Sequence, residues 1–125
     1  MSVQGYAQPN VTQLMDKYKI ENKELWLSVY QLESASGTSN LARTCNNIFG
    51  MKYPTKRATT AIGRTAEGFS IYMSVKDAVI DLKLFQLTYL KGSTREQTLK
   101  YLGESYAEDK NYLKKINKFL TYHKN

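Results

Sequence analysis

The stretch YQLESASGTSNLARTCNNIFGMK, residues 30–52, decides the fold. One acid, Glu33, sits in a run from Leu25 to Ala42 that carries no other charge. Just upstream, Leu25, Val29 and Leu32 recur at i, i+4 and i+7, with Trp26 and Tyr30 beside that stripe, which predicts a helix. Asn22 is placed to cap its start, and the helix should stop near Ser36 and Gly37. A third short helix follows over about residues 39–45. Asn46 and Asn47 suit side-chain bonding in a turn, and Gly50 permits a sharp bend. These devices would bring the next segment against the end of the Glu33 helix.

Working outward, Asn10 with Gln13 predicts a capped first helix to about Tyr18. Between Gly50 and Tyr72 the chain turns to Pro54, three glycines and the β-prone RATTAIG and GFSIY, which predicts a β-hairpin over about 52–72. Ser74 then opens a long helix with Val75, Ala78, Val79, Leu82 and Phe85 on one face. Thr94 with Gln97 repeats the capping signature. Asp109 is placed to cap a last helix whose stripe is Tyr112, Leu113, Ile116, Phe119 and Leu120. Helices, a hairpin insert, then helices again make an α+β fold, mostly α. With 125 residues and no break in pattern, one domain over 1–125 is expected.

Composition narrows the chemistry. Cys45 is the lone cysteine, so an internal disulfide is excluded, and its apolar neighbours favour a buried thiol. His123 is the lone histidine and sits three residues from the end. A zinc site would therefore need mostly carboxylates, which is rare, and no metal or cofactor is expected. An enzyme here would run on carboxylates and tyrosines. The net charge of +7 favours a polyanionic partner or simply solubilises helices; the two readings weigh equally. No nucleic-acid motif accompanies the charge, so no nucleic acid is expected. No apolar run is long enough for a membrane span, and the start lacks signal-peptide character. The protein is thus expected to be made in a cytoplasm and released by other means.

Glu33 lies near a helix C-terminus, where the dipole disfavours a negative charge. With Leu32 and Ala35 as neighbours, its acid form should be favoured, as a general acid requires. On periodicity alone the same residue reads more simply as an exposed glutamate on a polar face.

QLESASGTSNLARTCNNIFGMK resembles a motif of the glucosaminidase family of peptidoglycan hydrolases, close to LESGWGxSxLAxxxNNLFGIK. FSIYMSVKDAVIDL resembles its FRxYxSxxES segment, and SYAEDKNYLKKI its YATDPxY segment. Three ordered motifs span most of the chain. The resemblance implies a lysozyme-like helical domain with a small β-hairpin beside the cleft, and peptidoglycan glycan strands as substrate. It makes Glu33 the general acid, Tyr72 and Tyr106 cleft-facing tyrosines, and Asn46, Asn47 and Phe49 parts of a turn motif, with Asn47 and Phe49 candidate substrate contacts. Tyr112 is then a packing residue.

Two departures stand out. The family's Gly-Trp after Glu-Ser is Ala35-Ser36, and the acid many members carry after a hairpin threonine is missing beyond Thr60. Glu67 is the hairpin's only carboxylate, a candidate second catalytic group or an exposed turn residue. The implied function is an endo-β-N-acetylglucosaminidase acting on peptidoglycan, as a monomer, in a bacteriophage lysis or virion setting. A lytic transglycosylase and a non-catalytic glycan-binding module are the alternatives.

Overall fold

The computed structural model describes residues 10–106 and 110–124, with side chains through residue 120. Its helices are α1 (Val11–Lys17), α2 (Lys23–Ser34), α3 (Asn40–Cys45), α4 (Val75–Tyr89), α5 (Arg95–Tyr101) and α6 (Tyr112–Lys124). Between α3 and α4 lie two short strands, β1 (Gly63–Arg64) and β2 (Ser70–Ile71). The mostly helical α+β class expected from the motifs is the class observed. The expected cap at Asp109 lies outside the described residues, and so does the side chain of the tail histidine His123.

Local signals set most helix starts. The Asn10 Oδ1 accepts from the Gln13 N–H at 3.1 Å. Ser39 and Ser74 do the same for α3 and α4, each at 3.1 Å. Thr94 and Gln97 form a reciprocal capping box. Asn22 departs from expectation. It holds the N-cap position of α2 in a left-handed conformation, with no side-chain cap. Its amide instead donates to Thr98 Oγ1 on α5 at 3.3 Å, a use that only the folded chain reveals.

The core gathers on Trp26, which is 0% exposed. Phe49, Phe85 and Tyr106 meet its indole edge-on, with centroids at 6.3, 6.0 and 5.6 Å. The apolar face of α2 thus centres on Leu25, Trp26 and Val29, and Leu32 is only half-buried. Helix α4 buries Ala78, Val79, Leu82 and Phe85 as the periodicity predicts. Its Gln86 clamps the backbone of Glu21 from both sides, accepting at 2.9 Å and donating at 2.8 Å. That fixes the entry to α2. Helix α6 packs along α2, and Gly103 permits this. A Cβ there would stand 2.8 Å from Leu113 Cδ1.

The hairpin is narrower than the expected 52–72. Gly63 pairs with Ile71 and Arg64 with Ser70, antiparallel, while Lys52 bridges Phe69 on the other side. A turn closes with the Gly68 N–H on the Thr65 carbonyl at 3.0 Å. Residues 54–61 join no ladder. Side chains hold them to α4 instead: Thr60 Oγ1 donates to the Asp77 carbonyl at 2.6 Å, and Thr59 Oγ1 to Asp81 at 2.7 Å. β-prone threonines here serve as side-chain anchors.

Candidate active site

The site begins with how α2 ends. The Ser34 hydroxyl donates to the Tyr30 carbonyl and accepts from the Gly37 N–H at 2.9 Å. Ala35 and Ser36 both adopt left-handed backbone, with φ of 48° and 57°. The chain thus turns off α2 immediately after Glu33 and enters α3.

The asparagine pair returns it. Asn46 is the left-handed C-cap of α3, and its amide donates to the Tyr72 carbonyl at 2.9 Å. Asn47 is fully buried; its amide donates to the carbonyls of Met51 and Ser70, each at 2.9 Å, and its oxygen accepts from the Met51 N–H at 3.0 Å. Phe49 anchors the loop in the core, also at 0% exposure. The product of these bonds is the position of Gly50. With φ of +68°, it presents bare backbone to Glu33; a Cβ there would lie 2.8 Å from Oε1 and 3.0 Å from Cδ.

Glu33 is half-buried in this notch. Burial pushes its carboxyl above the ordinary glutamate range, and the Tyr112 hydroxyl and the Lys115 ammonium pull it partly back. Tyr112 is 3% exposed. Its hydroxyl reaches the Glu33 carboxyl without the geometry of a formed hydrogen bond, and it has no other partner among the described residues. Burial and the Glu33 charge drive that phenol far above the ordinary tyrosine range. Tyr112 therefore packs, as expected, and also points its polar end at the acid. The first half of that description follows from helical periodicity; the second depends on α6 docking on α2.

Beside Gly50 opens a cleft of about 240 Å³. Gly50–Tyr53 backbone forms one side and Phe85, Tyr89, Tyr101 and Tyr106 the other. Tyr89 and Tyr101 stack at 6.5 Å. Tyr53 and Tyr89 are exposed, and sequence patterning did not single out either them or Tyr101. Tyr106 ends a π-helical turn, Leu102–Tyr106, that continues α5. Its hydroxyl donates to the Phe49 carbonyl at 2.6 Å, and its ring packs on Trp26 and Phe85. Tyr106 thus lines the cleft and braces the loop that carries Gly50.

The other predicted residues lie elsewhere. Tyr72 is 2% exposed and does not face the cleft; its hydroxyl donates to Asp81. Asp81 is fully buried and paired with Arg57 through two bonds at 2.7 and 3.1 Å. Burial alone would raise the Asp81 carboxyl. The bonds from Arg57, Tyr72 and Thr59, with the Arg57 charge, outweigh it and hold the carboxyl below the ordinary range. Asn47 and Phe49 are likewise buried in the loop, where they position Gly50 and expose no surface to a ligand. Glu67 is exposed on the hairpin turn. Strand pairing sets Tyr53 against Gly68, three residues or about 10 Å along the strand from Gly50. Among the described residues no cluster of three or more metal-ligating side chains occurs.

A half-buried acid against the glycine that borders an aromatic cleft, in a helical domain with a short hairpin, is the arrangement the motif resemblance leads one to expect. The chain belongs to the glucosaminidase family, described as mannosyl-glycoprotein endo-beta-N-acetylglucosaminidase, which it matches over residues 8–125. The family predicted from the motifs, the glucosaminidase family, is therefore the family found. Over 66 residues the chain is 39% identical to Protein bax of Escherichia coli strain K12, covering 53% of this chain and 24% of that protein. It thus spans about a quarter of that relative's length. The fold is similar to that of a type VI secretion system effector–immunity complex from Pseudomonas protegens, at TM-score 0.62 and 23% identity, covering 90% of this chain and 84% of the other. It is also similar to the catalytic domain of the autolysin Auto from Listeria monocytogenes, at TM-score 0.59 and 24% identity, covering 91% and 78%.

Proposed function

We propose that this domain hydrolyses the β-1,4-linked glycan of peptidoglycan as an endo-β-N-acetylglucosaminidase, with Glu33 as general acid. The observation that carries this reading is the notch itself: Glu33 is pressed on Gly50, its acid form favoured by burial, and Gly50 is part of the lining of a tyrosine-walled cleft. Sugar faces lie well on tyrosine rings while hydroxyls bond sugar oxygens. The Glu33 carboxyl gives its proton to the bridging oxygen as the glycosidic C–O bond breaks. Water then adds at the anomeric carbon and returns a proton.

The second catalytic group favours a subsidiary reading. The groups acting on Glu33 are a phenol and an ammonium, Asp81 is locked to Arg57, and Glu67 sits on an exposed turn. With no second acid brought to Glu33 among the described residues, the site also suits a lytic transglycosylase, in which a sugar hydroxyl replaces water. The proposed setting is action at the cell wall as a monomer, in a bacteriophage lysis or virion role, or as a delivered effector, a setting suggested by the similarity in fold to the Pseudomonas protegens effector–immunity complex.

The test is digestion of purified peptidoglycan by wild type and Glu33→Gln, with mass analysis of the ends. Free reducing N-acetylglucosamine from wild type, lost in a folded Glu33→Gln, is the expected result. Anhydro-muramyl ends would replace hydrolysis by transglycosylation, and no release from wild type would leave a glycan-binding module.

A further inference from the structure

We propose that the outer face of α6 docks the carboxylate-bearing stem peptides of the glycan strand lying in the cleft. This rests on the wall-glycosidase reading and deepens it, by naming which part of the substrate is recognised away from the scissile bond.

The charge distribution is the first argument. Residues 110–125 hold Lys110, Lys114, Lys115, Lys118 and Lys124 and no acid, so they account for five of the net +7. The other long helices interleave both signs: Lys23 with Glu24 in α2, and Lys76, Asp77, Asp81 and Lys83 in α4. Among the described side chains of α6 the buried positions are Tyr112, Ile116 and Leu120, which leaves Lys114, Lys115 and Lys118 on the exposed side. Lys110, exposed just before the helix, continues the four-residue spacing of Lys114 and Lys118. Like charges four apart repel by about 0.2–0.5 kcal/mol each, and no α6 carboxylate offsets them. The helix is stable through its apolar face, while the lysine face invites an anion.

Position is the second argument. Lys115 and Tyr112 both act on Glu33, so the start of α6 flanks the acid. A strand placed for proton transfer from Glu33 has α6 beside it, and substituents leaving the strand on that side meet the lysines. Successive lysines of the stripe rise about 6 Å along the helix. At its near end a recess of about 190 Å³ lies between the π-helical turn and α6, lined by Lys100, Gly103, Glu104, Lys110, Tyr112 and Leu113. Among the described residues one acid, Glu104, borders it against two lysines, so their charge favours an anionic chain end.

The test compares Lys110→Gln/Lys114→Gln/Lys118→Gln with wild type and leaves Lys115 in place. Substrates are sacculi free of phosphodiester polymer and the same glycan strands after amidase removal of their peptides. The proposal expects wild type to prefer peptide-bearing strands through KM, and the triple variant to reduce that preference at least fivefold. It also expects the preference to shrink as salt rises from about 50 to 300 mM. An unchanged preference in the variant overturns the proposal. Binding separates this from failure of the parent reading. Soluble stem-peptide muropeptides titrated into Glu33→Gln should still perturb α6 resonances and lose that effect in the quadruple variant, whatever the glycosidase assay shows.

Discussion

Two carboxyls in this domain are withdrawn from bulk water, Asp81 fully and Glu33 by half, and they are treated in opposite ways. Asp81 receives two guanidinium bonds, a phenol and a threonine hydroxyl, so its charge is fully answered and its proton is lost. Glu33 faces a glycine backbone, a phenol that does not complete a hydrogen bond, and one ammonium at a distance, so its acid form is favoured over that of an ordinary glutamate. The first joins the irregular segment 54–61 to α4 and holds the hairpin in place. The second leaves the carboxyl with the raised proton affinity that the proposed general acid requires. Burial sets a carboxyl's tendency to hold its proton; the donors around it decide whether that tendency survives.

Amide substitution separates the two most sharply. Glu33→Gln should lower hydrolysis by about 10²–10⁴-fold while leaving the fold intact, because an amide keeps the shape and has no acidic proton. Asp81→Asn should do the reverse. It leaves Arg57 buried without its counter-charge, at a cost of about 3–5 kcal/mol, read as a drop of more than about 10 °C in Tm. Comparable stability losses in the two variants would erase the contrast.

Gly50→Ala attacks the notch from its other wall. Left-handed backbone costs a non-glycine residue about 1–2 kcal/mol, and the new methyl meets Glu33 Oε1. Displacing the acid by about 1 Å should lower turnover about 10²-fold at a small stability cost. A Gly50→Ala protein with normal turnover would show that the notch does not position Glu33.

The pH dependence of stability should also split. Glu33, with its folded value raised, costs nothing while both states are protonated. Its penalty builds as pH rises from the ordinary glutamate value through the raised one. Asp81, with its folded value lowered, stabilises fully above the ordinary aspartate value and loses that contribution as pH falls through the lowered one. Denaturant midpoints between about pH 3 and 7 should therefore show the stability of Glu33→Gln over wild type growing with pH. The deficit of Asp81→Asn should shrink towards acid. The smallest expected effect is Ala35→Gly, a gain of about 0.5–1 kcal/mol from relieving left-handed strain next to the acid, without loss of activity.

The contrast also marks how far the sequence could be read. The helices of Ser74, Thr94 and the Ile116 stripe were legible, because caps and apolar periodicity act over a few residues. Glu33 stood out as a lone charge in an uncharged run. Asn22 misled, since its amide serves Thr98 seventy-six positions away. Tyr72 was expected at the cleft but is held inside by Asp81, and Arg57 drew no notice because its partner lies 24 residues on. The Tyr112 hydroxyl became visible only once α6 lay on α2. Local rules located the acid; the groups that set its chemistry come from elsewhere in the chain.

The Asn46–Asn47 pair carries a consequence for the lifetime of the molecule. Each amide nitrogen points only at backbone carbonyls: Tyr72 for Asn46, Met51 and Ser70 for Asn47. Spontaneous deamidation would replace that nitrogen with an oxygen, and an acceptor would then face acceptors across less than 3 Å. Buried Asn47 has no room to turn aside, so a single atom exchanged with age would push Gly50 from Glu33. Old preparations should thus lose activity together with the acquisition of one negative charge, a change visible by isoelectric focusing before any loss of mass or cleavage of the chain.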